Sequence, residues 1–422
     1  MAPQYTYKYQ QLGTHLKTNR KLQGIVGAGF IFLLFAGIWA WTPRHYHTSE
    51  EKPDSPSIPA PVFATGKGWK GGRPAYTFAD GTTYEKPPEI KVHALVFYGR
   101  WDRVQVLDCY LRKNLVKNGG FLDKVVFVSN TADEHDLAAL EKILKNEPEG
   151  YVRGRKMKPT KDKLDFHNAW EGVESDVLYI KIDDDILYIH DDAIPQLVQY
   201  RITHPEYLMI SANVINNPEL SWVHTRMGAV HPFLPEMTPP KGFNPVAHLA
   251  DWKISKLPRI KSSIASEDAY ITPAHPHRWL PADVSMDFTP VSGTEYNAFG
   301  PGWNDWRVAA QQHYSFFQNA EKGATGLAAY QFDTWDMNYE RLSINMVTIW
   351  GKDVIKAFPI PRDDEAHLTQ VVSRLTKRHV VVNGQALAAH YAYGVQKDGL
   401  AKTDVLQRYR AYAQEYCGKL LV

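Results

Sequence analysis

Along this chain of 422 residues the spacing of apolar positions changes from one region to the next, and each spacing predicts a different element. Residues 24–41 (GIVGAGFIFLLFAGIWAW) form an uncharged apolar segment long enough to cross a bilayer as one helix. From Thr42 to about Ile90 apolar periodicity is lost. Pro53, Pro56, Pro59 and Pro61 there favour extended polyproline II backbone, which predicts a stem. Beyond it, 92–98 (VHALVFY) reads as a buried strand, and 102–117 as a helix with Val104, Leu107, Leu111 and Leu115 on one face. Residues 124–129 give a second strand. Thr131-x-x-Glu134 then forms a capping box before a helix carrying Leu137, Leu140 and Leu144. A further helix over 161–173 leads into a strand from Val177. This alternation predicts an α/β layered fold with a largely parallel sheet, whose ligands collect at the carboxyl ends of the strands.

Charge gives the apolar segment a direction. Lys8, Lys17, Arg20 and Lys21 precede it with no acidic residue, whereas Arg44 and Lys52 after it are mixed with Glu50, Glu51 and Asp54. That bias keeps the N-terminus cytosolic. The competing reading is a cleaved secretory signal, but the run exceeds the usual signal core and ends on Trp39 and Trp41 rather than a small-residue cleavage site. The expected organisation is a cytosolic tail (1–23), a transmembrane signal-anchor (24–41), a Pro-rich stem (42–90) and one large lumenal domain (91–422).

The candidate chemistry begins at Asp183-Asp184-Asp185, placed between the apolar runs 177–182 and 186–189. Three adjacent carboxylates repel one another and lose hydration inside a fold, so a divalent cation or a set of donors must compensate them. A solvated acidic turn is the plainer alternative, yet no Gly, Pro or Asn marks a hairpin here. At the end of the first strand, the Gly99-Arg100 turn offers a rest for a nucleotide whose phosphates meet the cation. Arg100, Asp102 and Arg103 stand there as base and phosphate contacts or as ordinary helix caps.

The formal net charge of +2, with its charges interspersed, argues against nucleic acid as a partner. Cys109 and Cys417 are the only cysteines and make no disulfide framework; whether they pair is open. The Gly-rich stretch 66–72 lacks the Lys-Ser/Thr ending of a phosphate loop. His45-Tyr46-His47 and His275-Pro276-His277 lack the spacing of a zinc hydrolase, and Ser266-Glu267-Asp268 reads better as a helix cap than as an acidic site.

In these residues the chain resembles the GT-A class of nucleotide-sugar-dependent glycosyltransferases, which carry an Asp-x-Asp motif after a core strand of a Rossmann-like half. The resemblance covers roughly 91–415. It implies a GT-A mixed sheet flanked by helices, preceded by one transmembrane helix and a stem. The layout resembles a type II, single-pass Golgi glycosyltransferase of fungal type, with the endoplasmic reticulum as the alternative membrane. By this likeness Asp185 binds Mn²⁺ (or Mg²⁺) directly, Asp183 contacts the ribose or the metal through water, and Asp184 faces the protein. Arg100 and Asp102 join Asp183 around the nucleotide.

The same resemblance assigns two later stretches. Pro361-Arg362-Asp363-Asp364-Glu365-Ala366-His367 matches the acidic pair before a helix: Asp363 caps it, and Asp364 or Glu365 contacts the acceptor hydroxyl as catalytic carboxylate. His390 matches the C-terminal histidine that completes the metal site, and its imidazole suits Mn²⁺ better than Mg²⁺. Trp303, Trp306, Trp335 and Tyr339 belong to an aromatic-dense stretch that can stack on sugar rings or fill a core. The implied reaction moves a hexosyl or pentosyl group from a nucleotide diphosphate to a glycan, glycoprotein or glycolipid. A metal-dependent phosphodiesterase or phosphoryl-transfer enzyme and a membrane-tethered glycan-binding protein are the alternatives.

Overall fold

The computed structural model of the protein describes residues 75–155, 166–249, 251–261, 272–418 and 420. The expected signal-anchor, the first part of the stem, His45 to His47, 66–72, 161–165 and 266–268 lie outside the described residues. No helix among the described residues is long and apolar enough to cross a membrane.

A mixed sheet of nine strands organises the fold. Its strands are β1 (Lys91–Tyr98), β2 (Lys124–Ser129), β3 (Tyr151–Arg153), β4 (Val177–Asp183), β5 (Ile186–Ile189), β6 (Met209–Ile215), β7 (Thr334–Asp336), β8 (Met346–Trp350) and β9 (Val380–His390). The spatial order is β7-β9-β6-β8-β4-β1-β2-β3, with β5 pairing β9 off this path. β1 to β4 pair with one another in parallel, and their order 3-2-1-4 puts a topological switch point between β1 and β4. β8 then runs antiparallel to both β4 and β6, while β9 is parallel to β6. β1, β4, β6 and β9 therefore end at one edge of the sheet, where β8 begins.

Sequence explains the elements. Residues 92–98 and 177–182 are buried on both faces, as near-continuous apolar strands of a parallel sheet should be. Helices α1 (Trp101–Lys113), α2 (Glu134–Asn146), α3 (Ala193–Thr203), α4 (Pro218–Arg226), α5 (Trp306–Ala320) and α6 (Val405–Cys417) accompany the sheet. α5 is almost entirely buried. Cys109 of α1 and Cys417 of α6 form a disulfide, with Cα atoms 5.9 Å apart, settling a pairing the sequence left open.

Four expectations need correction. The first helix stops at Lys113 rather than 117, because Leu115 bridges to Leu122 and the chain turns through Gly119 at φ 92°. Thr131 does not cap α2. Asp133 does, its carboxylate accepting from the amides of His135 and Asp136. Of the helix expected over 161–173, the described part is a short 3-10 turn, Phe166–Trp170, followed by Gly172 at φ 87°. The fourth concerns the stem: residues 75–90 are folded. A hairpin of Ala75–Thr77 and Thr83–Glu85 sets Tyr76 and Tyr84 edge-on to Phe121, and buried Lys86 reaches Asp123 at 3.0 Å. The polar composition hid it, since a few aromatic anchors and one buried ion pair hold it.

Candidate active site

The site forms where the strand ends meet. β4 delivers Asp183 as its last residue, and Asp184 and Asp185 make the turn into β5. β5 is not a hairpin partner of β4; it pairs with β9, which places His390 opposite Ile186 across a bulge. The backbone N–H of Tyr391 donates to the Asp185 carbonyl at 2.9 Å. His390 Nε2 thus lies 3.2 Å from Asp185 Oδ1, with both side chains buried. Asp183, Asp185 and His390 each offer one ligand atom, all within 4.8 Å of one another.

Fixed cations offset part of this charge. Arg100 donates to Asp184 and lies 3.0 Å from Asp185 Oδ2, while Lys181 Nζ sits 2.5 Å from Asp183 Oδ1 and also donates to the Ile344 carbonyl. Three carboxylates face two fixed cations, so a proton on His390 or a metal ion is needed to complete the balance. Burial pushes the Asp185 carboxyl up, but Arg100 and His390 outweigh it and hold it well below the usual range. Asp184 goes the other way, its burial exceeding the help of Arg100. Burial would lower the His390 imidazole, yet Asp185 raises it.

Two carboxylates and an imidazole at this spacing fit a divalent cation. His390 Nδ1 is buried and has no hydrogen-bond partner among the described residues. A second cluster, Asp133, His135 and Asp136, is largely exposed, and its Asp133 caps α2.

The sequence reading missed the layer around these ligands. Asn345 enters at the same edge because β8 is antiparallel: its amide donates to Asp183 Oδ2 at 3.2 Å, its carbonyl accepts the Asp183 backbone N–H, and Tyr393 OH donates to its Oδ1 at 2.9 Å. The Tyr393 ring lies 4.5 Å from that of His390. After β6, Asn216 adopts φ 62°, a left-handed conformation that Asn tolerates, and donates to the carbonyls of His390 and Tyr391. Asn217 caps α4 and also bonds Asn345 Oδ1. A lone Lys inside the apolar run 177–182 and the Asn-Asn-Pro after 209–215 were the available signals.

The acidic stretch near 364 arrives as expected in part. Asp363 caps its short helix through the Ala366 amide and pairs with Arg341 at 2.8 Å. Asp364 is buried and accepts from Trp170 Nε1 at 2.8 Å. Glu365 accepts from Arg341 at 2.7 Å and from the Ile344 amide, beside the carbonyl that receives Lys181. Burial raises both carboxyls. Asp102 is partly exposed in the first turn of α1, 3.8 Å from Arg103.

Aromatic residues divide. Trp306 packs on buried Trp279 and Tyr339 stands against His379, whereas Trp335 donates its indole N–H to Tyr296 and Trp303 meets exposed Phe299 edge-on. His277 is buried, with Nδ1 on the His275 carbonyl.

No protein-family description and no curated protein matches the chain. Among solved structures it is similar to GalNAc-T7 with UDP, GalNAc and Mn²⁺, at 8% identity and a TM-score of 0.37 over 75% of this chain and 46% of that one. It is similar also to glucosyl-3-phosphoglycerate synthase from Mycobacterium tuberculosis with phosphoglyceric acid, at 12% identity and 0.23 over 29% and 43%. A third is UDP-glucose pyrophosphorylase with UDP-glucose, at 9% and 0.30 over 77% and 99%. The chain spans less than half the length of the first two, and likenesses this slight carry no argument.

Proposed function

We propose that this protein is a metal-dependent glycosyltransferase that moves a sugar from a nucleotide diphosphate to a hydroxyl-bearing acceptor. The observation that carries the reading is the meeting of Asp183, Asp185 and His390, from β4 and β9, beside the switch point between β1 and β4. A divalent cation held there by Asp183, Asp185 and His390 would neutralise charge developing on the departing diphosphate. Arg100 and Lys181 hold the carboxylates in place before any ligand arrives, so little reorganisation is required on binding. Asp102 and the turn at Arg100 border the nucleotide in this reading.

Glu365 is the proposed proton acceptor. Burial raises its carboxyl above the usual range, while Arg341 and the Ile344 amide fix its orientation. Asp364, turned into the core onto Trp170, positions that helix. We further propose that 24–41 anchors the chain in a Golgi or endoplasmic reticulum membrane with the enzyme lumenal. The Cys109–Cys417 disulfide supports an oxidising compartment.

The test is a calorimetric titration of the full chain with UDP and with GDP, with and without Mn²⁺, beside the Asp183→Ala/Asp185→Ala double variant. Metal-dependent binding of one nucleotide, lost in a folded double variant, is expected. Binding that survives the double substitution would remove the metal role.

A further inference from the structure

Glu219 is a buried carboxylate at this edge that no other residue among those described satisfies. It stands in the first turn of α4, 2% exposed, and, its own backbone N–H aside, neither carboxylate oxygen has a hydrogen-bond partner among the described residues. Leaving a buried carboxylate unpaired is costly, and natural folds keep such groups where a ligand completes them.

Its surroundings say which ligand. Trp222 lies three residues on, hence on the same side of α4, and meets exposed Tyr296 edge-on at 5.9 Å; Tyr296 in turn contacts Trp335. Exposed Phe299 carries the Arg341 guanidinium 4.9 Å over its ring, and Arg341 holds Glu365. Glu219 is within electrostatic range of Glu365, Arg341, Tyr296 and Tyr393. Tyr393 packs on His390, with ring centroids 4.5 Å apart. The backbone is tied down as well. Gly302 sits so close to α4 that a Cβ would lie 2.7 Å from the Pro218 carbonyl, and Gln396 joins the Gly302 carbonyl to Asn216.

We infer that Glu219, with Trp222, Tyr296 and Phe299, forms the subsite for the acceptor sugar, the carboxylate taking a hydrogen bond from a ring hydroxyl while the aromatic faces cover the ring's C–H surface. A pyranose presents both surfaces at once. A cationic ligand fits less well, because Arg341 is already near and burial disfavours the ionised carboxylate. The inference rests on the transferase reading for the sugar's role as acceptor, not for its binding.

The experiment follows tryptophan fluorescence of the full chain titrated with the methyl glycosides of galactose, glucose, mannose and N-acetylglucosamine, beside a parallel UDP or GDP titration with Mn²⁺. At least one glycoside should bind saturably. Glu219→Met, which fills similar volume without an acceptor, should weaken it at least about tenfold, and Phe299→Ala, an exposed position, should do so without altering thermal stability. Nucleotide affinity should hold in both variants. Equal glycoside affinity in wild type and both variants, or no glycoside binding to a wild-type protein that binds nucleotide, overturns the subsite. Glycoside binding that depends on Glu219 in a protein indifferent to every nucleotide would keep the subsite and remove the transferase reading.

Discussion

His390 Nε2 lies 3.2 Å from Asp185 Oδ1 with both side chains buried, although one residue ends β9 and the other precedes β5. Replacing Asp185 by Asn is expected to lower Mn²⁺ affinity at least about tenfold, since one oxygen ligand loses its charge. It also weakens the partner of Arg100 and His390, so thermal stability should fall. Removing one member of a buried pair typically costs about 3–5 kcal/mol, and Asn, which keeps hydrogen bonding, should cost less. Calorimetry with Mn²⁺ and a melting curve check both, and unchanged Mn²⁺ affinity would refute the ligand assignment.

Glu219 predicts a pH dependence of stability. Burial pushes its carboxyl up to about 7, with Glu365 adding to the rise and its own backbone N–H and Arg341 opposing it. A raised acid binds its proton more tightly in the folded state, so its contribution is fully present below the unfolded value near 4.5 and is lost as pH rises towards 7. Glu219→Gln cannot ionise. It should match wild type at pH 4 and exceed it at pH 8 by roughly 3 kcal/mol. Urea melts at the two pH values measure this, and a gap independent of pH would show that Glu219 is not held in a desolvated site.

Gly302→Ala should act through Pro218. The added methyl meets backbone at 2.7 Å and the Ser221 Cβ at 3.2 Å, which forces the first turn of α4 away from the 299–304 segment. A loss of about 1–3 kcal/mol with weakened glycoside binding is expected. Gly293→Ala, where nothing lies within 4 Å, is the control and should stay near wild type.

The Cys109–Cys417 bond closes a loop of sequence separation 308 and clips α6 onto α1. Its removal by Cys109→Ala should destabilise the protein by about 2–5 kcal/mol. Melting curves of wild type with and without reductant, beside the variant, test it. Reductant without effect on wild type would mean that the thiols are not joined in solution.

The sequence by itself determined β1, β2 and β4 and the place of the acidic motif, because these are local: buried parallel strands write themselves as apolar runs such as 92–98 and 177–182, and three adjacent carboxylates cannot hide. It also marked Asp363 as a cap, a property of three consecutive residues. Tertiary structure alone decided the rest. Lys181 gained its place beside Asp183, two residues along its own strand, only when the segment entering β8 brought the Ile344 carbonyl to it. Asn345 became a site residue only because β8 runs antiparallel, and Glu219 only because the fold buries it while no other described residue satisfies it. Hydrogen-bond satisfaction and desolvation are properties of a three-dimensional neighbourhood, and no spacing along the chain encodes them.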